Sequence, residues 1–178
     1  MFRYNYHPLK NKERSTLIFL ILFSALIRVP VILTLGDAGL EHEWKAIMDN
    51  LTKHGVFSSI NFDGFLIPNL FMPPLYAFYL YFFSLINLEE QSYVQLILSS
   101  QILLSSISVA VFYKINKIFF SEKISFFSSL IFSIFPLHVY ACAQISSISL
   151  QSFLTILFFY FFFQFIKKGN FLSIFFFS

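Results

Sequence analysis

The chain of 178 residues is 57% hydrophobic and 21% aromatic, with 28 Phe and only 12% charged residues. A soluble domain carries about 25% charged residues, so this composition excludes an ordinary water-soluble domain and makes lipid the expected solvent. The formal net charge is +3, but the basic residues are scattered between apolar runs; they read as membrane-flanking anchors and exclude a nucleic-acid surface.

Taken in order, residues 1–14 ("MFRYNYHPLKNKER") form a basic segment holding Arg3, Lys10, Lys12 and Arg14. The Lys/Arg bias of short flanks places such a segment in the cytoplasm. Residues 15–34 follow as an apolar run with Arg28 its single charge. That run is too long for a signal-peptide core, so it predicts a retained first transmembrane helix. On the same ruler of roughly 20 residues per crossing, further spans are expected at 70–88, 92–114, 124–142 and 147–166. Each is expected to be helical, because a backbone facing lipid must satisfy its own hydrogen bonds. A β-barrel would need short alternating segments, and these runs are apolar on every face. Another apolar run starts at residue 171 and stops after eight residues, which leads us to expect the N-terminal part of a longer protein. The fold class expected is all-α, a polytopic transmembrane bundle.

Strict alternation of these spans creates a conflict. With the N-terminus inside, "KINKIFFSEK" at 114–123 and "KKGN" at 167–170 fall outside, against the positive-inside rule, and "NLEE" at 87–90 falls inside.

Residues 35–69 form the outside loop, with five acids against Lys45 and Lys53. Within 41–54, Trp44, Ile47, Met48 and Leu51 recur at i, i+3, i+4 and i+7, one apolar face of a helix. Gly55 is a plausible stop. Such a helix is expected to lie in the membrane interface, apolar face down, with Glu41 and Glu43 in its favoured first turn. Pro73-Pro74 cannot continue a regular helix and predicts a rigid corner into the next span. Cys142 is the single cysteine, so no intrachain disulfide forms.

The basic N-terminus, the single helix, the early acids, the "W-x-x-I-x-x-N-L-x-x-x-G-V-F" stretch at 44–57 and "PPLY" at 73–76 together resemble the membrane-embedded glycosyltransferases of the GT-C type. The dolichyl-phosphate-mannose protein mannosyltransferase and aminoarabinose transferase group is the nearest branch. "FPLHVYACAQISSISLQSFL" at 135–154 is also similar to that group. Leu40 stands where the family often has Asp, Trp44 holds the aromatic position, and 146–152 lacks the acid that relatives often carry there. The resemblance implies transfer of a sugar from a polyprenyl-phosphate donor to a lipid, glycan or protein acceptor, at the outer face of the cytoplasmic (inner) membrane. Glu43, and after it Glu41, would be the catalytic base, with room for a divalent metal ion. One carboxylate suffices in principle, because the leaving phosphate departs as an anion and needs no strong acid.

For the remaining candidates the bland readings stand beside the functional ones. Asp37 in "GDAG" could bind substrate, but turn chemistry is the simpler reading. Arg28 could bind the lipid phosphate, although snorkelling to the interface is simpler. Lys45 could hold phosphate or sit on a solvated helix face. Trp44 and Tyr76 could stack on sugar or anchor the interface. His54 and His138 lack a second ligand at metal spacing, so a zinc site is not expected, and His138 is read as standing away from substrate. The serines of the third and fourth spans (Ser99, Ser100, Ser105, Ser106, Ser128, Ser129) read as helix-packing positions. Two other classes remain open: a non-catalytic flippase or transporter component for lipid-linked sugars, and an inactive truncated remnant. Transporters place charges or helix breaks near the bilayer midplane, and here the charges collect in loops.

Overall fold

The computed structural model of the chain describes residues 11–40, 42–62, 65–68 and 72–168. In chain order these form α1 (Asn11–Leu35), α2 (His42–His54), a hairpin of β1 (Ile60–Phe62) and β2 (Phe65–Ile67), α3 (Pro74–Ser84), α4 (Glu90–Phe119), α5 (Glu122–Ser133), α6 (Pro136–Ala141) and α7 (Ser147–Lys168). Glu41, residues 1–10 and the run from 171 lie outside the described residues.

Among the described residues three helices are long and apolar enough to cross a membrane: α1, α4 and α7. Their 25, 30 and 22 residues give roughly 37, 45 and 33 Å of rise against about 30 Å of hydrocarbon. α4 is the central element, packed by α1, α5 and α7. Its facing surface is built of small residues, with Ser105, Ser106, Ser108 and Ala110 buried, which lets helix backbones approach closely. α5 answers with a second stripe, Ser125, Ser129 and Ser133, all buried. Their hydroxyls donate to carbonyls of their own helix at 2.7–2.9 Å, so the polar atoms are satisfied where water is absent. Packing at serines was expected; the stripe on α5 is Ser125–Ser129–Ser133, not Ser128, while Ser99 is exposed.

Two of the expected spans are corrected. In the run at 70–88 the described residues, from 72 on, form one helix, α3, whose 11 residues rise roughly 16 Å, too little for a crossing. Pro73 and Pro74 start it late, since a helix cannot extend backwards through them. α3 also turns back beside α4. The Tyr76 hydroxyl donates to Gln101 Oε1 at 3.2 Å, and the Tyr93 hydroxyl donates to the Leu80 carbonyl at 2.9 Å. The reversal between the two helices uses Asn87 at φ 58, a left-handed conformation that Asn tolerates.

The run at 124–142 is broken into α5 and α6 at Ile134–Phe135. Pro136 begins α6 and has no N–H to continue the α5 ladder. The spans at 92–114 and 147–166 appear as the longer α4 and α7.

These corrections regroup the charges. Lys12 pairs with Glu122 at 3.2 Å and Lys117 with Glu13 at 3.3 Å, and Lys114, Lys117 and Lys167 line one small cavity with Glu13. The start of α1, the end of α4, the start of α5 and the end of α7 therefore share one basic end. The opposite end carries the 36–40 loop, α2, the hairpin, α3 and Glu90; we call it the loop end.

Helix α2 has the expected extent, beginning at His42, and stops at Gly55. That glycine sits at φ +68, and the N–H groups of Gly55 and Val56 donate to the Leu51 and Asn50 carbonyls, the closing pattern of a left-handed helix stop. Its apolar face does not lie on lipid. Trp44, Ile47 and Met48 are buried in one cluster with Tyr76, Ala77 and Leu80 of α3 and with Tyr93, Val94 and Ile97 of α4. The hairpin behind it was not foreseen. Its register pairs Ile60 with Ile67 and Phe62 with Phe65, and Asn50 Nδ2 ties α2 to it through the Ser58 carbonyl at 2.8 Å.

Candidate functional site

α1 ends where Gly36 turns the chain. A Cβ there would meet the Ile32 carbonyl oxygen at 2.3 Å, so only glycine fits the closure. Asp37 follows at once and is held from two sides. Its N–H donates to the Ala143 carbonyl at 3.0 Å, and its Oδ2 accepts from the Ile145 N–H at 2.6 Å. Gln144 Nε2 donates back to the Leu35 carbonyl at 3.0 Å. Beneath this knot, buried Gln101 donates through Nε2 to the Gln144 carbonyl at 2.9 Å and the Cys142 carbonyl at 3.4 Å, while its Oε1 receives Tyr76. The loop between α6 and α7 has no helical partners of its own, and these side chains supply them. Asp37 thus does turn-holding work, and one of its oxygens is committed to it.

A cavity of about 520 Å³ opens beside this knot. Asp37, Glu90, Gln91 and Gln95 give it carboxylates and carboxamides, and Ile32, Leu33, Val94 and Leu98 make its apolar wall. Lys45 of α2 reaches Glu90 at 3.6 Å, so the first turn of α2 lies at the rim. Glu43 is in that first turn, exposed and without an ion pair among the described residues.

The candidates therefore separate. Asp37, Lys45 and the first turn of α2 that carries Glu43 gather at the loop end; Glu41 is outside the described residues. Trp44 and Tyr76 are buried edge-to-face, ring centroids 4.8 Å apart, and leave no free ring face for a sugar. They seat α2.

Arg28 is not at the loop end and does not snorkel. It is fully buried, seven residues or roughly 10 Å below the end of α1. Nε donates to Ser105 Oγ at 2.8 Å. Nη1 donates to the Ser24 carbonyl at 2.9 Å, the Ser24 hydroxyl and the Ser133 carbonyl at 3.1 Å. Nη2 donates to His138 Nδ1 at 2.8 Å. The Ser133 carbonyl is freed by the break between α5 and α6, so the guanidinium fills the place of the missing helical donor. Every partner is neutral.

No family pattern, curated protein or solved structure matches this chain. Among the described residues no three metal-ligating side chains cluster, and Asp37 and Glu43 alone do not make a metal site. Sequence reasoning missed Gln101, Gln144, Glu90 and Gln95, since isolated amides and one acid carry no spacing signature.

Proposed function

We propose that this chain is a polytopic membrane protein of the glycosyltransferase class, its N-terminal end in the cytoplasm and its loop end at the outer face of the cytoplasmic membrane. The collection of Lys12, Arg14, Lys114, Lys117, Lys123 and Lys167 on helix ends that share the basic end supports this orientation. Because α3 turns back, the basic stretch at 114–123 falls inside and the conflict of strict alternation disappears.

The observation that carries the transferase reading is the cavity at the loop end. Carboxylates and carboxamides are the side chains that hydrogen-bond sugar hydroxyls, and the apolar wall suits a polyprenyl tail arriving from the bilayer. An acceptor hydroxyl would lose its proton to the Glu43 carboxylate as its oxygen attacks the anomeric carbon. The bond to the carrier phosphate breaks, the phosphate leaves with the electron pair, and the configuration inverts. Glu41, the neighbouring acid, is the reserve candidate for the base. The test is release of polyprenyl phosphate from a lipid-linked sugar pool by membranes containing the protein, beside Glu43→Gln and Glu41→Gln. Loss of release in one variant at equal protein level assigns the base. Release equal to wild type in both variants removes the loop carboxylates from the reaction.

The break between α5 and α6, with Arg28 in it, favours a second reading. Discontinuous helices and buried charges at bilayer depth also mark transport pathways. Proteoliposomes that move a lipid-linked sugar between leaflets without consuming it would support a flippase, and turnover without movement would support the transferase.

A further inference from the structure

The buried cation at Arg28 has neutral partners only, and among the described residues no carboxylate neutralises it. A guanidinium has donors and no acceptor, so His138 Nδ1 must accept from Nη2, and the proton of the neutral imidazole then resides on Nε2. Among the described residues the Nε2–H has one long contact, to Ser105 Oγ at 3.4 Å, an oxygen that also accepts from Arg28 Nε. His138 is therefore a donor fixed by a positive charge at Nδ1, and its one acceptor among the described residues is long. The half-buried His138 also lines a cavity of about 420 Å³ between α6 and α7.

The lining of that cavity is graded. His138, Gln151 and Ser152 lie within roughly 5–8 Å of the loop-end termini of α6 and α7. Phe132, Phe135 and Ile156 continue it on the apolar side. Gln151, Ser152 and Thr155 have no side-chain hydrogen bond among the described residues, although α7 otherwise presents an apolar outer surface. Unpaired amides and hydroxyls on a lipid-facing helix are costly. Gln151 and Thr155 also border a second cavity against α3, so the groove runs on around α7.

We infer that the groove between α6 and α7 binds a phosphate-bearing lipid, its head accepting from His138 Nε2–H and Gln151 and its tail lying along Phe135, Phe132 and Ile156. The phosphate supplies the negative charge that Arg28 lacks, through His138, while Arg28 acts as a positioning residue. The inference stands without the transferase reading, because it predicts retention of a lipid and not turnover.

The test is lipid retention by the purified chain in detergent, followed by native mass spectrometry. The probes are phosphatidylglycerol, a polyprenyl phosphate and diacylglycerol as the phosphate-free control. We expect a phosphate-bearing lipid to be retained at least tenfold over diacylglycerol, and His138→Phe and Gln151→Leu each to lower retention about tenfold. Gln151→Leu sits on the exposed lip, so it leaves folding intact should His138→Phe disturb it. Preference between the two phosphate lipids names the source; equal retention supports a site that reads the phosphate alone. Retention of diacylglycerol at the same level, retention unchanged in Gln151→Leu, or a dimer that excludes lipid from this face overturns the inference.

Discussion

Glu43 on α2 and Arg28 on α1 are both charged side chains in an apolar chain, yet they stand in opposite conditions. Glu43 is exposed and free of partners among the described residues, whereas Arg28 is fully buried and bonded to residues of α1, α4, α5 and α6. The loop acid costs nothing to keep and is open to chemistry. The buried cation is held by a constructed polar shell, and its removal strands every group of that shell. Charge alone therefore says little about role here; the number of partners says more.

The largest effect should follow from breaking the second condition. Arg28→Ala removes the donor from His138 Nδ1, Ser105 Oγ and the Ser133 carbonyl, and leaves a cavity. Each of these three buried orphans costs about 1–3 kcal/mol. A drop of about 5 kcal/mol in stability is expected, read as loss of the monomer peak after heating in detergent. Arg28→Lys keeps the charge and loses the fork, so it should fall between wild type and Ala. Wild-type stability in Arg28→Ala would show that the shell closes without the guanidinium.

Trp44→Ala should come next, at about 3 kcal/mol, near the lower end for a buried aromatic. Its ring is the joint between α2 and Tyr76. Limited proteolysis should cut within α2 before it cuts elsewhere. Protection equal to wild type would mean that Ile47 and Met48 alone seat the helix. Gln101→Leu is expected to cost about 2 kcal/mol by orphaning the Tyr76 hydroxyl and the 142 and 144 carbonyls. Paired with Asp37→Ala in a double-mutant cycle it should show coupling, because both hold the same loop.

The sequence carried the long apolar helices and α2 clearly, because roughly 20 uncharged residues and an i, i+3, i+4, i+7 pattern have few alternative explanations. It misjudged 70–88 and 124–142, where hydropathy was continuous but proline interrupts the helix: Pro73-Pro74 delays α3, and Pro136 splits α5 from α6. Hydropathy measures solvent preference and is blind to a missing N–H. The direction of α3 was also illegible, since it depends on Tyr76 meeting Gln101, a contact between residues 25 apart. Among the site residues, the acid in the first turn of α2 was legible from helix spacing. Arg28 was read as a snorkelling side chain because its partners, Ser105, Ser133 and His138, lie 77, 105 and 110 residues away, beyond any local pattern.

Glu43→Gln makes the sharpest use of the contrast because its structural effect should be the smallest. The side chain is exposed and has no ion pair among the described residues to lose, and an exposed substitution of this kind shifts stability by about 0.5 kcal/mol or less. The one structural contribution left is that of a carboxylate in the first turn of α2, worth about 0.3–1 kcal/mol and screened by salt. Melting in detergent at high salt should thus coincide with wild type. Under those conditions any loss of phosphate release belongs to the carboxylate and not to the fold. A variant that melts early at high salt would show that Glu43 has a partner in the folded protein, and its freedom at the rim of the loop-end cavity would no longer support a role as base.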